Sequence, residues 1–182
     1  YVRYPTDGNV DDASFPWMSA TSTKVETLES FFSYLHNSLA GTGMKTSADL
    51  FGIVTFSTSD MGIGQVLERA LPYFDYIYPM VYPSHFGNGT NGIQKPAEHP
   101  YEIIKYSMGL GVEREQAWNI SEGRATSTPS KLRPWLQDFD LGANYGVAEV
   151  QAQIKATYDV GLTGWLVWDA ANKYTRDAYK SE

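Results

Sequence analysis

The 182-residue sequence contains no cysteine, which excludes disulfide scaffolds, thiolate metal sites and cysteine nucleophiles together. Positive charge is scarce: 14 Lys and Arg stand against 21 Asp and Glu, a net charge of −7. Such a balance lacks the clustered basic charge that grips nucleic acid or an anionic membrane, so neither is an expected partner. Apolar runs stop after a few residues, too short for a helical membrane span. The histidines, His36, His85 and His99, have no zinc-ligand spacing.

Several sharper motifs are also absent. A dinucleotide fingerprint starting at Gly62-x-Gly64 would need a third glycine where Leu67 stands, and no phosphate-loop lysine follows. Asp7-Gly8-Asn9-Val10-Asp11 alternates oxygens as a calcium loop does. The loop-glycine position, however, is Asp12 and the closing-glutamate position is Met18. No Gly-x-Ser-x-Gly elbow occurs. Neither a cofactor nor a metal is expected.

What is present is an alternation of two periodicities. Thr23-Lys24-Val25-Glu26 has capping-box form, and Val25, Leu28, Phe32, Leu35 and Leu39 follow at steps of three and four. A helix is therefore predicted, with Gly41 as its stop. Leu50–Phe56 and Asp75–Tyr82 read as buried strands, separated by a helical stripe from Ile63 to Leu71 that Pro72 ends. After a polar loop from Pro83 to Pro100 comes a helix starting at Pro100 and weakened by Gly109 and Gly111. Leu132–Gln137 is a strand, Val147–Tyr158 a helix closed by Gly161, and Gly164–Trp168 a last strand. Tyr1–Pro5 reads as the end of a strand, which predicts that the chain is one part of a longer one. The whole predicts a single α/β domain with a parallel sheet: the C-terminal portion of a (β/α)8 barrel in preference to an open doubly wound sheet. Such a part exposes strand edges that pair with the remaining strands or with another copy.

Active sites of barrels lie where strands exit. The predicted exits carry Arg3, then Asp60 in the loop after the second strand, then Tyr82 and His85, then Gln137 and Asp138 with Trp135 just before them, then Trp168, Asp169 and Asn172. Aromatic rings, amides and carboxylates on one rim suit a sugar. Rings stack on pyranose faces, polar groups bind hydroxyls, and paired carboxylates serve as acid and base or nucleophile. Asp138 and Asp60 are the acid/base candidates, and the other residues named would shape the sugar subsites. Each aspartate also suits the blander role of capping a turn. Asp75 sits at a strand entrance, the stabilising face of a barrel, and is not a candidate.

Four segments resemble a known family: Tyr1–Gly8, Tyr78–His85, Arg133–Phe139 and Gly164–Asp169. They resemble, in order, the motifs of an uncharacterised bacterial family of glycoside-hydrolase type with a TIM-barrel domain. The resemblance implies a (β/α)8 barrel acting on a poly- or oligosaccharide at the cell envelope or outside the cell. The family's first motif carries an Asp immediately before the position of Tyr1, at a usual nucleophile position. Where the last strand ends in Asp169, the family often has Asn. A non-catalytic carbohydrate-binding or wall-associated module is the competing expectation.

Overall fold

The computed structural model describes residues 19, 21–125 and 127–180. The predicted first strand, Tyr1–Pro5, and Arg3 within it lie outside the described residues.

Among the described residues four strands form one parallel sheet: β1 (Ser47–Phe51), β2 (Tyr76–Met80), β3 (Trp135–Gln137) and β4 (Leu166–Trp168). Their spatial order is their sequence order, β1-β2-β3-β4. Every crossover contains a helix: α2 (Leu67–Ala70), α3 (Pro100–Ser121) and α4 (Val147–Asp159), with α1 (Lys24–Leu39) preceding β1. A doubly wound sheet reverses its strand order at a switch point. An unreversed order with helices on the connections is the arrangement of consecutive βα units in a barrel wall.

The two faces of the sheet confirm this. Ala48, Leu50, Ile77 and Leu136 are buried and share a core with Leu67, Leu71, Ile104, Met108 and Ala156 of the helical layer. The alternate residues, Asp49, Phe51, Tyr78, Met80, Trp135 and Leu166, are only half-buried. Aliphatic side chains thus pack outward against helices, and the opposite, inner face is lined mainly by aromatic and polar ones, with Met80 and Leu166 among them.

The elements depart from expectation where glycines meet the sheet. The predicted strand at Leu50–Phe56 starts earlier and stops at Phe51, because Gly52–Thr55 wind into a 3-10 turn. A Cβ on Gly52 would lie 2.5 Å from the Met80 carbonyl oxygen, so glycine permits this close approach of β1's exit to β2. The Thr55 hydroxyl closes the turn on the Gly52 carbonyl at 2.8 Å. The expected helix at 63–71 shrinks to four residues, since Gly62 and Gly64 take positive φ in the preceding turn. In α3 the glycines do not interrupt the helix. A Cβ on Gly111 would stand 3.3 Å from both Leu132 and Thr55, so its absence lets α3 lie close to the sheet. Leu132 bridges Ile77, but the ladder of β3 proper begins after Pro134, which has no amide proton to donate. The α1 capping box forms as predicted, with Glu26 N donating to the Thr23 hydroxyl and Thr23 N to Glu26 Oε2.

Candidate active site

On the inner face, Trp135 reaches across β2: its indole Nε1–H donates to Asp49 Oδ1 on β1 at 2.8 Å. Trp168 stands against it edge to face, ring centroids 6.1 Å apart and planes at 87°. Trp168 is 44% exposed, so an aromatic surface faces the open side of the sheet.

At the rim, Asp138 follows β3 and is 3% exposed. Its Oδ2 accepts the Tyr179 hydroxyl at 2.6 Å and the Thr175 amide at 2.7 Å. Its Oδ1 is buried with no hydrogen-bond partner among the described residues. Burial, then the neighbouring Asp138 carboxylate, raises the Tyr179 phenol above its ordinary pKa, so it remains a donor at neutral pH.

Gln137 is wholly engaged. Its side-chain oxygen accepts the Ser84 amide at 3.0 Å and its side-chain nitrogen donates to the Phe139 carbonyl at 2.9 Å. Its backbone amide and carbonyl are paired with the Gln153 side chain of α4 at 2.9 and 2.8 Å. With no exposed surface, Gln137 ties the ends of β2 and β3 together. The Ser84 hydroxyl beside it is also buried without a partner among the described residues. Two unpartnered oxygens, Asp138 Oδ1 and Ser84 Oγ, therefore flank Gln137 at neighbouring strand exits.

Tyr82, His85 and Phe139 form an aromatic cluster, with centroids 5.3 Å apart for Tyr82–His85 and 5.5 Å for Tyr82–Phe139. Burial lowers the His85 pKa, so its imidazole is neutral at pH 7. Burial, then the charge of Asp49, raises that of Tyr82.

The remaining aspartates serve their own loops. Asp60 accepts the Gly62 amide on Oδ1 at 3.2 Å and the Gly64 amide on Oδ2 at 2.9 Å. Asp169, 8% exposed, accepts the Ala171 amide at 2.6 Å. Asn172 is exposed in the following turn with positive φ. At the opposite end of the sheet, Asp75 bonds Lys45 Nζ at 2.7 Å and the Thr46 amide at 2.9 Å. Hydrogen bonding from Lys45 holds the Asp75 carboxyl below the ordinary carboxylate range.

Three participants escaped the sequence reading. Asp49 was readable from the alternation Ser47-Ala48-Asp49-Leu50-Phe51, but the apolar run from Leu50 drew the strand boundary past it. Phe139 carried no distinguishing pattern. Tyr179 reaches Asp138 from 41 residues away in sequence, a contact no local pattern encodes. Among the described residues no group of three or more His, Asp or Glu is placed to hold a metal ion, and no helix is long and apolar enough to cross a membrane.

The fold is similar to that of the PgaB (BpsB) glycoside hydrolase domain from Bordetella bronchiseptica, with a TM-score of 0.59 and 18% identity. The match covers 87% of this chain and 43% of that one, so the chain spans less than half of that structure. No curated protein matches the sequence. Residues 1–174 match the family described as "Putative glycosyl hydrolase domain". A match over so much of the sequence, on a parallel sheet with acidic and aromatic strand exits, makes the chain a member of that family.

Proposed function

We propose that this chain supplies the C-terminal strands of a glycoside-hydrolase barrel, with Asp138 as its acid/base carboxyl. One observation carries the reading: Asp138 is buried at a strand exit with one oxygen fixed by two donors and the other unpartnered among the described residues. A carboxyl held this way keeps a fixed orientation while one oxygen has no donor competing for its proton. As general acid, it protonates the glycosidic oxygen while the anomeric C–O bond breaks. As base, it takes a proton from the water that completes hydrolysis. Trp135 and Trp168 form the stacking platform, and Tyr82 and His85 border it. Gln137 acts through position, by holding the Ser84 loop and the Asp138 turn in register. Asp60 holds the loop that follows β1. The family resemblance implies that the partner carboxylate is the Asp its first motif carries immediately before the position of Tyr1. The substrate is a poly- or oligosaccharide of the cell envelope or the extracellular space.

A second reading, a carbohydrate-binding module, is favoured by one fact: both Asp60 oxygens are bonded to loop amides, leaving Asp138 as the rim's single catalytic candidate among the described residues. Reducing-end release and calorimetric binding, measured together on a panel of bacterial wall and exopolysaccharide glycans, separate the two. Turnover supports the hydrolase. Saturable binding with no product after prolonged incubation supports the module.

A further inference from the structure

Beside the rim lies a cavity of about 860 Å³, within the usual range for small-molecule sites. It opens where β1 and β2 exit, between their following loops. Phe51, Ile53, Phe56, Met61, Met80 and Phe86 make most of its wall. None of the described lining residues is Asp, Glu, Lys or Arg. The polar groups are few. The Thr90 hydroxyl is bonded to the Gly87 carbonyl at 2.7 Å, which leaves Tyr82 and a neutral His85, both also members of the rim's aromatic cluster.

A charged group entering this space would lose its hydration and meet no counter-charge among the described lining residues, whereas a hydrocarbon chain would gain by leaving water. The methionines add a wall that adjusts to ligand shape. Met80, in the cavity wall, is the register partner of Trp135 on the next strand, so the cavity and the sugar platform are neighbours on the sheet. We infer that it is a subsite for an uncharged apolar substituent, an alkyl or acyl chain carried by the glycan bound at the rim. The inference rests on the glycosidase reading for the sugar, but the cavity's preference for an apolar chain can be measured without one.

Gly87 provides the test. It lines the cavity, its φ is not in the left-handed region, and a Cβ there would meet no atom within 4 Å. Gly87→Leu therefore has room for its Cβ and adds apolar bulk at the cavity wall. Calorimetric titration of the full chain at pH 8 with 1-octanol and with octanoate reads the preference. Saturable octanol binding is expected, with a negative heat-capacity change. Octanoate should bind at least about tenfold more weakly, since its charge meets no partner. Gly87→Leu should reduce octanol affinity by at least about tenfold. If Gly87→Leu does not fold, Met61→Asp carries the same test. Met61 is 57% exposed with φ +49°, a conformation aspartate tolerates, and the added carboxylate should weaken octanol binding. Absent saturation by octanol, equal binding of octanoate, or octanol affinity unchanged by the substitution would each overturn the subsite. Neither probe carries a sugar, so such a result leaves the glycosidase reading standing, and failure of glycan turnover leaves the cavity standing.

Discussion

Gln153 offers the sharpest test of how the candidate site is held. Its side-chain oxygen accepts the Gln137 amide at 2.9 Å, and its side-chain nitrogen donates to the Gln137 carbonyl at 2.8 Å. The amide of α4 thus occupies the place a neighbouring strand would take, one residue before Asp138. Both glutamines have no exposed surface. Gln153→Leu preserves the volume but orphans a buried N–H and a buried C=O. Each orphan costs about 1–3 kcal/mol, so the substitution should cost about 2–6 kcal/mol, a large part of the roughly 5–15 kcal/mol that holds a typical domain. At about 2–4 °C per kcal/mol for a chain of this size, the melting temperature should fall by roughly 5–20 °C. Denaturant unfolding followed by circular dichroism would give the free energy directly. Gln153→Leu melting within a degree of the natural chain would show that the side chain does not serve as the missing strand partner.

Other consequences follow from single contacts. Tyr179→Phe keeps the ring against Trp165, 5.8 Å between centroids, but removes a hydrogen bond to a buried carboxylate. It should cost about 1.5–3 kcal/mol and speed hydrogen exchange of the Thr175 amide, which shares Asp138 Oδ2. The natural chain should also lose stability above about pH 10. There the phenols of Tyr82, Tyr145 and Tyr179, whose folded pKa values are raised by burial, hold protons that the unfolded chain releases. That alkaline descent should be shallower in Tyr179→Phe, and an identical slope would contradict the assignment. Asp49→Ala strips the Trp135 indole of its acceptor. It should cost about 1 kcal/mol and weaken glycan binding by calorimetry, while Asp49→Asn, which can still accept, should largely restore it.

The fold was legible where local rules and tertiary structure agree. The Thr23–Glu26 capping box and the α1 stripe formed as read, and the start signal at Pro100 and the apolar stripe from Val147 to Tyr158 marked α3 and α4. Boundaries failed where glycine serves packing rather than chain breaking. At Gly111 the absent Cβ lets α3 approach Leu132 and Thr55, and at Gly52 it lets the chain turn against Met80. Neither neighbour is visible in the sequence. The rim was legible as a set of strand exits, because parallel strands send their C-terminal residues to one side. Which of those side chains are engaged depended on long-range partners: Ser84 for Gln137, Thr175 and Tyr179 for Asp138, Trp135 for Asp49. Asp60 shows the converse, since its amide partners lie within four residues and a turn role was already readable.

The most direct measurement is turnover by the full-length protein carrying Asp138→Asn, on a glycan the natural full-length protein hydrolyses, with thermal unfolding recorded on the same samples. Asparagine keeps an oxygen that can accept from Thr175 and Tyr179, so the melting temperature should stay within a few degrees. Loss of the proton-transferring carboxyl should lower kcat by about 10²–10⁴-fold. Full activity in a folded Asp138→Asn protein would remove Asp138 from the chemistry and contradict the account.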